Sequence, residues 1–223
     1  MNKFTYIDIH SHTVNKNDDV FALINCIVDV DNNNHSFHSA GIHPWYINEK
    51  NLDSQFNSLK IFAKEKNCLA IGECGLDKLK GPNQLIQERV FQEQLFLATE
   101  LNKPLIIHNV KKIHRIHELI LNYHFKGKLI FHGVNSNPEF MHKLNESNQA
   151  FFSFGRALFN ENSNASILLK ELPLNKLFLE TDDSEYTIIE IYNQAIKLLN
   201  IDKKDFIFQM QQNFKFVFNY GID

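Results

Sequence analysis

"CLAIGECGLDKLKGPNQLIQERVFQEQLFLATELNKPLIIHN", residues 68–109, decides the fold. It opens with an apolar, strand-like run at 68–72. From 84 to 102 the apolar residues recur at i, i+3, i+4 and i+7, the period of a helix that packs one face on a sheet. Pro104 then opens a second apolar run at 104–108. A strand, a helix of this length and another strand make the crossover unit that parallel strands need. Each strand also runs into a metal-binding type of residue, Glu73 in the first case and His108 in the second.

The same alternation extends in both directions. Further strands are expected at 4–10, 21–30, 37–42, 128–132, 149–154 and 176–181, and helices at 51–66, 112–124, 138–147, 163–171, 185–199 and 204–218. Eight short strands alternating with helices predict an α/β chain folded as a (β/α)8 TIM-type barrel. The pattern is irregular at the start. About ten residues separate the first two strands, and only "DNNNHS" separates the second and third, too few for a crossover helix. The barrel is therefore expected to be abbreviated or distorted in its first two βα units, with a doubly wound sheet as the competing architecture.

Active-site residues on such barrels lie at the C-terminal ends of the strands. Strand 1 ends in "YIDIHSH" (6–12), where His10 and His12 alternate and so share one face of an extended chain. Alone the pair means little, because about one such pair in every two chains of this composition arises by chance. The other strand ends add His43 in "GIHPW", Glu73 in "AIGECGLD", His108 in "PLIIHN", His132 in "LIFHG" and Asp182 in "LFLETDDS". Six of eight strands thus deliver a His, Glu or Asp to the same rim. His, Glu and Asp without Cys favour a hydrolytic divalent ion such as Zn²⁺, Mn²⁺ or Mg²⁺. Six donors exceed what one four-coordinate ion with an open position needs. They suit two divalent metal ions about 3.5–4 Å apart, bridged by a carboxylate and water.

Composition narrows the function classes. The chain has 223 residues, 43% of them hydrophobic and 22% charged, enough for one substantial core. A net charge of −3 argues against a general nucleic-acid coat or an anionic membrane surface. No stretch approaches 18 apolar residues, and no basic segment followed by an apolar run opens the chain, so neither a membrane helix nor a signal peptide is expected. Cys26, Cys68 and Cys74 are odd in number and lack C-x-x-C spacing, which predicts reduced thiols and a cytoplasmic location. Cys74 reads as buried rather than nucleophilic. His114 and His117 read as a solvated helix face.

The motifs D-x-H-x-H, G-I-H-P, I-G-E-C-G-L-D, I-I-H, F-H-G and L-E-T-D, in this order over residues 8–183, resemble those of the TatD family of metal-dependent hydrolases. "QNFKFVF" near the end resembles the family's C-terminal segment, which packs a last helix under the barrel. The resemblance implies one hydrolase barrel domain over 1–223 and a metal-dependent nuclease, a deoxyribonuclease with 3′-to-5′ exonuclease character. It implies that His10, His12, Glu73 and Asp182 hold one metal and that Glu73, His108 and His132 hold the second. Glu73 and Asp182 would be catalytic, Asp182 orienting or deprotonating the attacking water, and His43 would face the substrate phosphate. Asp77 would support the site or its loop.

There are departures from the family pattern. An Arg usually follows two residues after the strand-5 histidine, whereas here Lys111 stands one residue later. Arg156, just after strand 7, offers another phosphate-binding cation, and Trp45 is placed to contact substrate at the rim or to pack in its loop. The implied partners are nucleic-acid ends or a small phosphoester, with no membrane and no obligate protein partner. A small-molecule phosphoesterase or amidohydrolase is the alternative, followed by a metal-binding relative without turnover.

Overall fold

A computed structural model describes residues 4–31, 37–146 and 149–221. Eight strands form one sheet in sequential order, β1 to β8. They are β1 (Tyr6–Ser11), β2 (Val20–Ile27), β3 (His38–Gly41), β4 (Cys68–Asp77), β5 (Leu105–Val110), β6 (Leu129–Phe131), β7 (Ala150–Phe154) and β8 (Leu177–Leu179). The pairs β1–β2, β3–β4, β4–β5 and β7–β8 are parallel, and a parallel bridge from Ser11 to Asp182 ties β1 to the residues after β8. A doubly wound sheet reverses its strand order at a switch point. Sequential order with the last strand bridged to the first is the (β/α)8 arrangement instead. No helix stands in 12–19 between β1 and β2, nor at the described residues between β2 and β3; residues 32–36 of that gap lie outside the described ones.

The chain divides into two compact units. The first comprises Met1–Ile24 and Phe131–Asp223. In it, β1 and β7 are buried along their whole length and β8 is entirely apolar, as parallel strands covered on both faces require. Phe151, Phe152 and Phe154 of β7 are all buried, and the rings of Phe151 and Phe178 pack at 5.9 Å. Helix α4 (Pro138–Asn145) starts with Pro138 in its first turn and an Asn137 cap that accepts from Glu139 N, while α5 (Asn164–Glu171) is capped by Ser163. Helix α6 (Ile188–Leu199) begins in a capping box, Thr187 with Glu190, and buries Ile188, Ile191, Tyr192 and Ala195 at helical spacing. Helix α7 (Lys203–Phe218) carries the "QNFKFVF" segment. Asn213 Nδ2 donates to the carbonyls of Leu174 and Leu177, each at 2.8 Å, and Phe218 stacks on Phe214, which pins the helix beneath β8.

The second unit, Asn25–Ile130, holds α1 (Leu52–Ala63), α2 (Gln84–Leu101) and α3 (Ile113–Tyr123) around β3, β4 and β5. Helix α2 starts at the Asn83 cap and stops at Asn102, which adopts the left-handed conformation. Helix α3 buries Ile113, Ile116, Leu119 and Ile120 and leaves its polar face outside. The glycines of "IGECGLD" suggest a strand that ends at Gly72, but β4 continues to Asp77, with a register shift between Ile71 and Cys74. The glycines sit inside the strand because neighbouring backbone comes too close for a side chain. A Cβ on Gly75, whose φ is 152°, would lie 2.0 Å from the His108 carbonyl oxygen.

Candidate metal clusters

In the second unit, His43, Glu73 and His108 gather, all buried, with ligand atoms within 4.8 Å of one another. Glu73 sits within β4, His108 on β5, and His43 directly after β3 at the start of a single 3₁₀ turn, Pro44–Tyr46. Glu73 Oε1 lies 2.6 Å from His108 Nδ1 and 3.2 Å from His43 Nε2. Its other oxygen accepts from Asn25 Nδ2 at 3.1 Å, and Glu73 N donates to Asn25 Oδ1 at 3.1 Å. This two-point clamp fixes the carboxylate and turns Oε1 toward the histidines.

Asp77 and Trp45 complete the group. Asp77 Oδ2 lies 3.1 Å from His108 Nε2 and accepts from Trp45 Nε1 at 2.6 Å, while Oδ1 accepts from Leu79 N and Lys80 N. Burial pushes the Asp77 carboxyl up, but hydrogen bonds from Trp45, Leu79, His108 and Lys80 outweigh it and hold it below the ordinary carboxylate value. Glu73 Oε1 and Asp77 Oδ2 thus face the two ring nitrogens of His108, at 2.6 Å and 3.1 Å, and fix the ring between two carboxylates. His43 is held differently. Its Nδ1 accepts the backbone N–H of Trp45 at 3.1 Å, so the proton of the neutral ring sits on Nε2. Despite its proximity to Glu73, His43 is built to donate rather than to ligate.

The first unit holds the second group, His10, His132 and Asp182. Asp182, with φ of 53°, follows β8, and its Oδ1 lies 3.2 Å from His12 Nε2 and 3.7 Å from His10 Nε2. Its backbone is fixed against β1, as Asp182 N donates to His10 O and His12 N donates to Asp182 O. His132 packs against His10, ring centroids 4.4 Å apart, with Nδ1 3.5 Å from Glu180 Oε1. Asp8 is fully covered and accepts from Thr181 N at 3.0 Å and Thr181 Oγ1 at 2.6 Å. Burial pushes its carboxyl up to about 7, against the opposing pull of the Thr181 hydrogen bonds.

Of the proposed substrate contacts, Trp45 is 37% exposed beside Asp77. Lys111 is exposed in a left-handed turn between β5 and α3. Arg156 is exposed on the 3₁₀ turn after β7, 3.4 Å from Asp183. Three supporting residues carry no role in the sequence reading. Asn25 interrupts the apolar run "FALINCIVDV", and Asp8 and Glu180 sit inside the quoted motifs. Glu180, the first acid of "LETDD", is buried and accepts from Gly133 N at 2.5 Å, next to His132. Polar residues within otherwise apolar strands were the available signal.

The cysteines take no part in these clusters. All three are buried, and burial pushes the thiols of Cys26 and Cys68 up to about 12 and about 11 and that of Cys74 higher still. Ellman's reagent at mildly alkaline pH is expected to titrate no thiol in the native protein and three after unfolding in guanidinium chloride. A fast-reacting native thiol would contradict this burial.

Comparison with known proteins supplies the context. A family model described as "TatD related DNase" matches residues 9–219. A TATDN1 homolog from Vairimorpha ceranae is 31% identical over 72% of this chain and 57% of its own. An uncharacterized metal-dependent hydrolase from Buchnera aphidicola is 29% identical over 81% of this chain and 73% of its own. The "3′-5′ ssDNA/RNA exonuclease TatD" of Pantoea ananatis is 44% identical over a shorter stretch, 31% of this chain and 27% of that one. The chain thus matches little more than half the length of the first of these and about a quarter of the third. Among solved structures, the TatD homolog YJJV of Escherichia coli superposes with a TM-score of 0.80 at 18% identity, over 97% of this chain and 98% of that one. A TatD family hydrolase from Entamoeba histolytica does so with 0.72 at 17% identity, over 97% and 85%. These likenesses establish the (β/α)8 fold.

Proposed function

The chain belongs to the TatD-related DNase family, and from that premise we propose that it is a divalent-metal-dependent phosphodiester hydrolase acting on the ends of single-stranded nucleic acid. The observation that carries the reading is that each unit holds a His/carboxylate cluster built without a thiolate. Imidazole and carboxylate donors held this closely fit Zn²⁺, Mn²⁺ or Mg²⁺. We assign His10, His12, His132 and Asp182 of the first unit and Glu73 and His108 of the second to ion binding. Bound there, such ions supply Lewis acidity and lower the pKa of coordinated water.

The chain's own groups have separable tasks. Asn25 and Asp77 orient Glu73 and His108, so that the donor atoms need no rearrangement. His43 offers its Nε2–H to a phosphate oxygen and so stabilises charge that develops there. Asp182, one-third exposed on its side chain, takes the proton of the attacking water at a carboxylate oxygen. The name of the Pantoea relative supports a 3′-to-5′ direction on ssDNA or RNA. Buried reduced thiols support a reducing compartment, and among the described residues no helix is long and apolar enough to cross a membrane.

The test is degradation of a 5′-labelled single-stranded oligodeoxynucleotide with Mg²⁺ or Mn²⁺. Stepwise shortening from the 3′ end is expected, abolished by EDTA and slowed about 10²-fold or more in Asp182→Asn. Cleavage of bis(p-nitrophenyl) phosphate but not of the oligonucleotide would move the substrate to small phosphoesters. Cleavage of neither would overturn the reading.

A further inference from the structure

A cleft of about 300 Å³ opens beside the Glu73–His108 cluster, in the same unit. Its walls are the 77–84 loop, the start of α2 and the residue that precedes α3, and three of its lining side chains are cations: Lys78, Lys80 and Lys112. Its one acidic residue, Asp77, does not cancel them. The Asp77 carboxylate is turned inward, taken up by Trp45 Nε1, His108 Nε2 and the Leu79 and Lys80 amides. Lys112 is held in place by the side-chain oxygen of Gln84, which in turn donates to Glu88. The loop itself is stapled by Gln87, whose side chain accepts from Asp77 N and donates to the carbonyls of Asp77, Lys80 and Pro82. The cleft is therefore a fixed frame that presents positive charge.

Lys80, exposed like Lys78, is the member in contact with Trp45. Its ammonium sits 3.7 Å from the centroid of the Trp45 ring, a cation–π contact that is weak at an exposed site. A phosphate oxygen is a stronger partner for an ammonium than an aromatic face. The same Trp45 is hydrogen-bonded to Asp77, which is hydrogen-bonded to His108. The cleft thus stands one residue away from the donor atoms assigned to an ion.

We infer that this cleft binds a phosphate group of the nucleic-acid strand adjoining the phosphodiester that is cut. Lys80 leaves the Trp45 ring to pair with that phosphate, Lys78 and Lys112 flank it, and the uncovered indole face is open to a base. The inference rests on the hydrolase reading and deepens it, because a substrate with a single phosphate gains nothing from the cleft.

Trp45 is the chain's single tryptophan, so its emission reports on this place alone. Oligothymidylate is titrated into the protein in EDTA, which separates binding from turnover, with emission and fluorescence anisotropy of a labelled strand read together. Saturation is expected to change the Trp45 emission. Lys80→Ala and Lys112→Ala are each expected to weaken binding about tenfold and to lower the salt dependence by roughly one phosphate contact, whereas Lys60→Ala on exposed α1 leaves both unchanged. With Mg²⁺ or Mn²⁺ restored, the two cleft variants are expected to raise KM for the oligonucleotide and to leave hydrolysis of bis(p-nitrophenyl) phosphate as in the wild type. Equal weakening by Lys60→Ala, unchanged binding in the cleft variants, or a silent Trp45 at saturation overturns the cleft. Binding that behaves as expected in a protein that hydrolyses neither substrate upholds the cleft and overturns the hydrolase reading.

Discussion

Glu73→Gln is expected to lower kcat on any phosphodiester by about 10³-fold or more while leaving the fold intact. The substitution keeps size and shape, and the amide oxygen can still accept from Asn25 Nδ2. What disappears is the negative charge 2.6 Å from His108 Nδ1 and 3.2 Å from His43 Nε2. A neutral amide is a poor ligand for a hard divalent ion, so affinity for Mn²⁺, measured by calorimetry, should fall together with kcat. Circular dichroism and the denaturation midpoint should stay near the wild type. A variant that binds metal normally and turns over at the wild-type rate would remove Glu73 from the reaction.

The second large effect is on stability. Gly75→Ala is expected to destabilise the protein by about 4 kcal/mol or more, read as a large drop in the guanidinium midpoint or as failure to fold. Gly75 pairs with His108 across β4 and β5. An added Cβ would meet the His108 carbonyl oxygen at 2.0 Å, an oxygen of the main chain with no rotamer to escape into, at a φ of 152° that L side chains rarely adopt. The strands must part or the ladder must shift, and either displaces His108. A midpoint equal to the wild type would show that β4 and β5 do not approach this closely.

Both predictions concern a segment whose chemistry was legible in the sequence and whose shape was not. The alternation of apolar runs with helical periods identifies the elements, because burial on both faces and burial of one stripe leave different patterns. The candidate donors at the strand ends could be picked out for a related reason: a fold rule directs attention to those ends. The glycines of "IGECGLD" mislead, since a glycine needed for close backbone approach looks the same in sequence as one needed for a turn. The supporting residues stand out as polar positions in apolar runs, but their partners were out of reach. Asn25 lies 48 positions from the carboxylate it clamps and Asp8 lies 173 from Thr181, and nothing local in the chain announces such partners. The role of His43 depends on one backbone N–H, that of Trp45, which fixes where its proton sits. No residue pattern encodes that.

The seam between β1 and the residues after β8 bears on when, during translation, this protein acquires its chemistry. Thr181 caps Asp8, Ser11 bridges Asp182, and the His10 and His12 backbones exchange hydrogen bonds with Asp182. A ribosome makes these partners 173 positions apart. Until residue 182 has been made, a nascent chain carries His10, His12 and His132 without the Asp182 carboxylate that faces His10 and His12. The His10, His132 and Asp182 group of that unit is therefore complete only once residue 182 has been made, and a polypeptide cleaved before that residue lacks it.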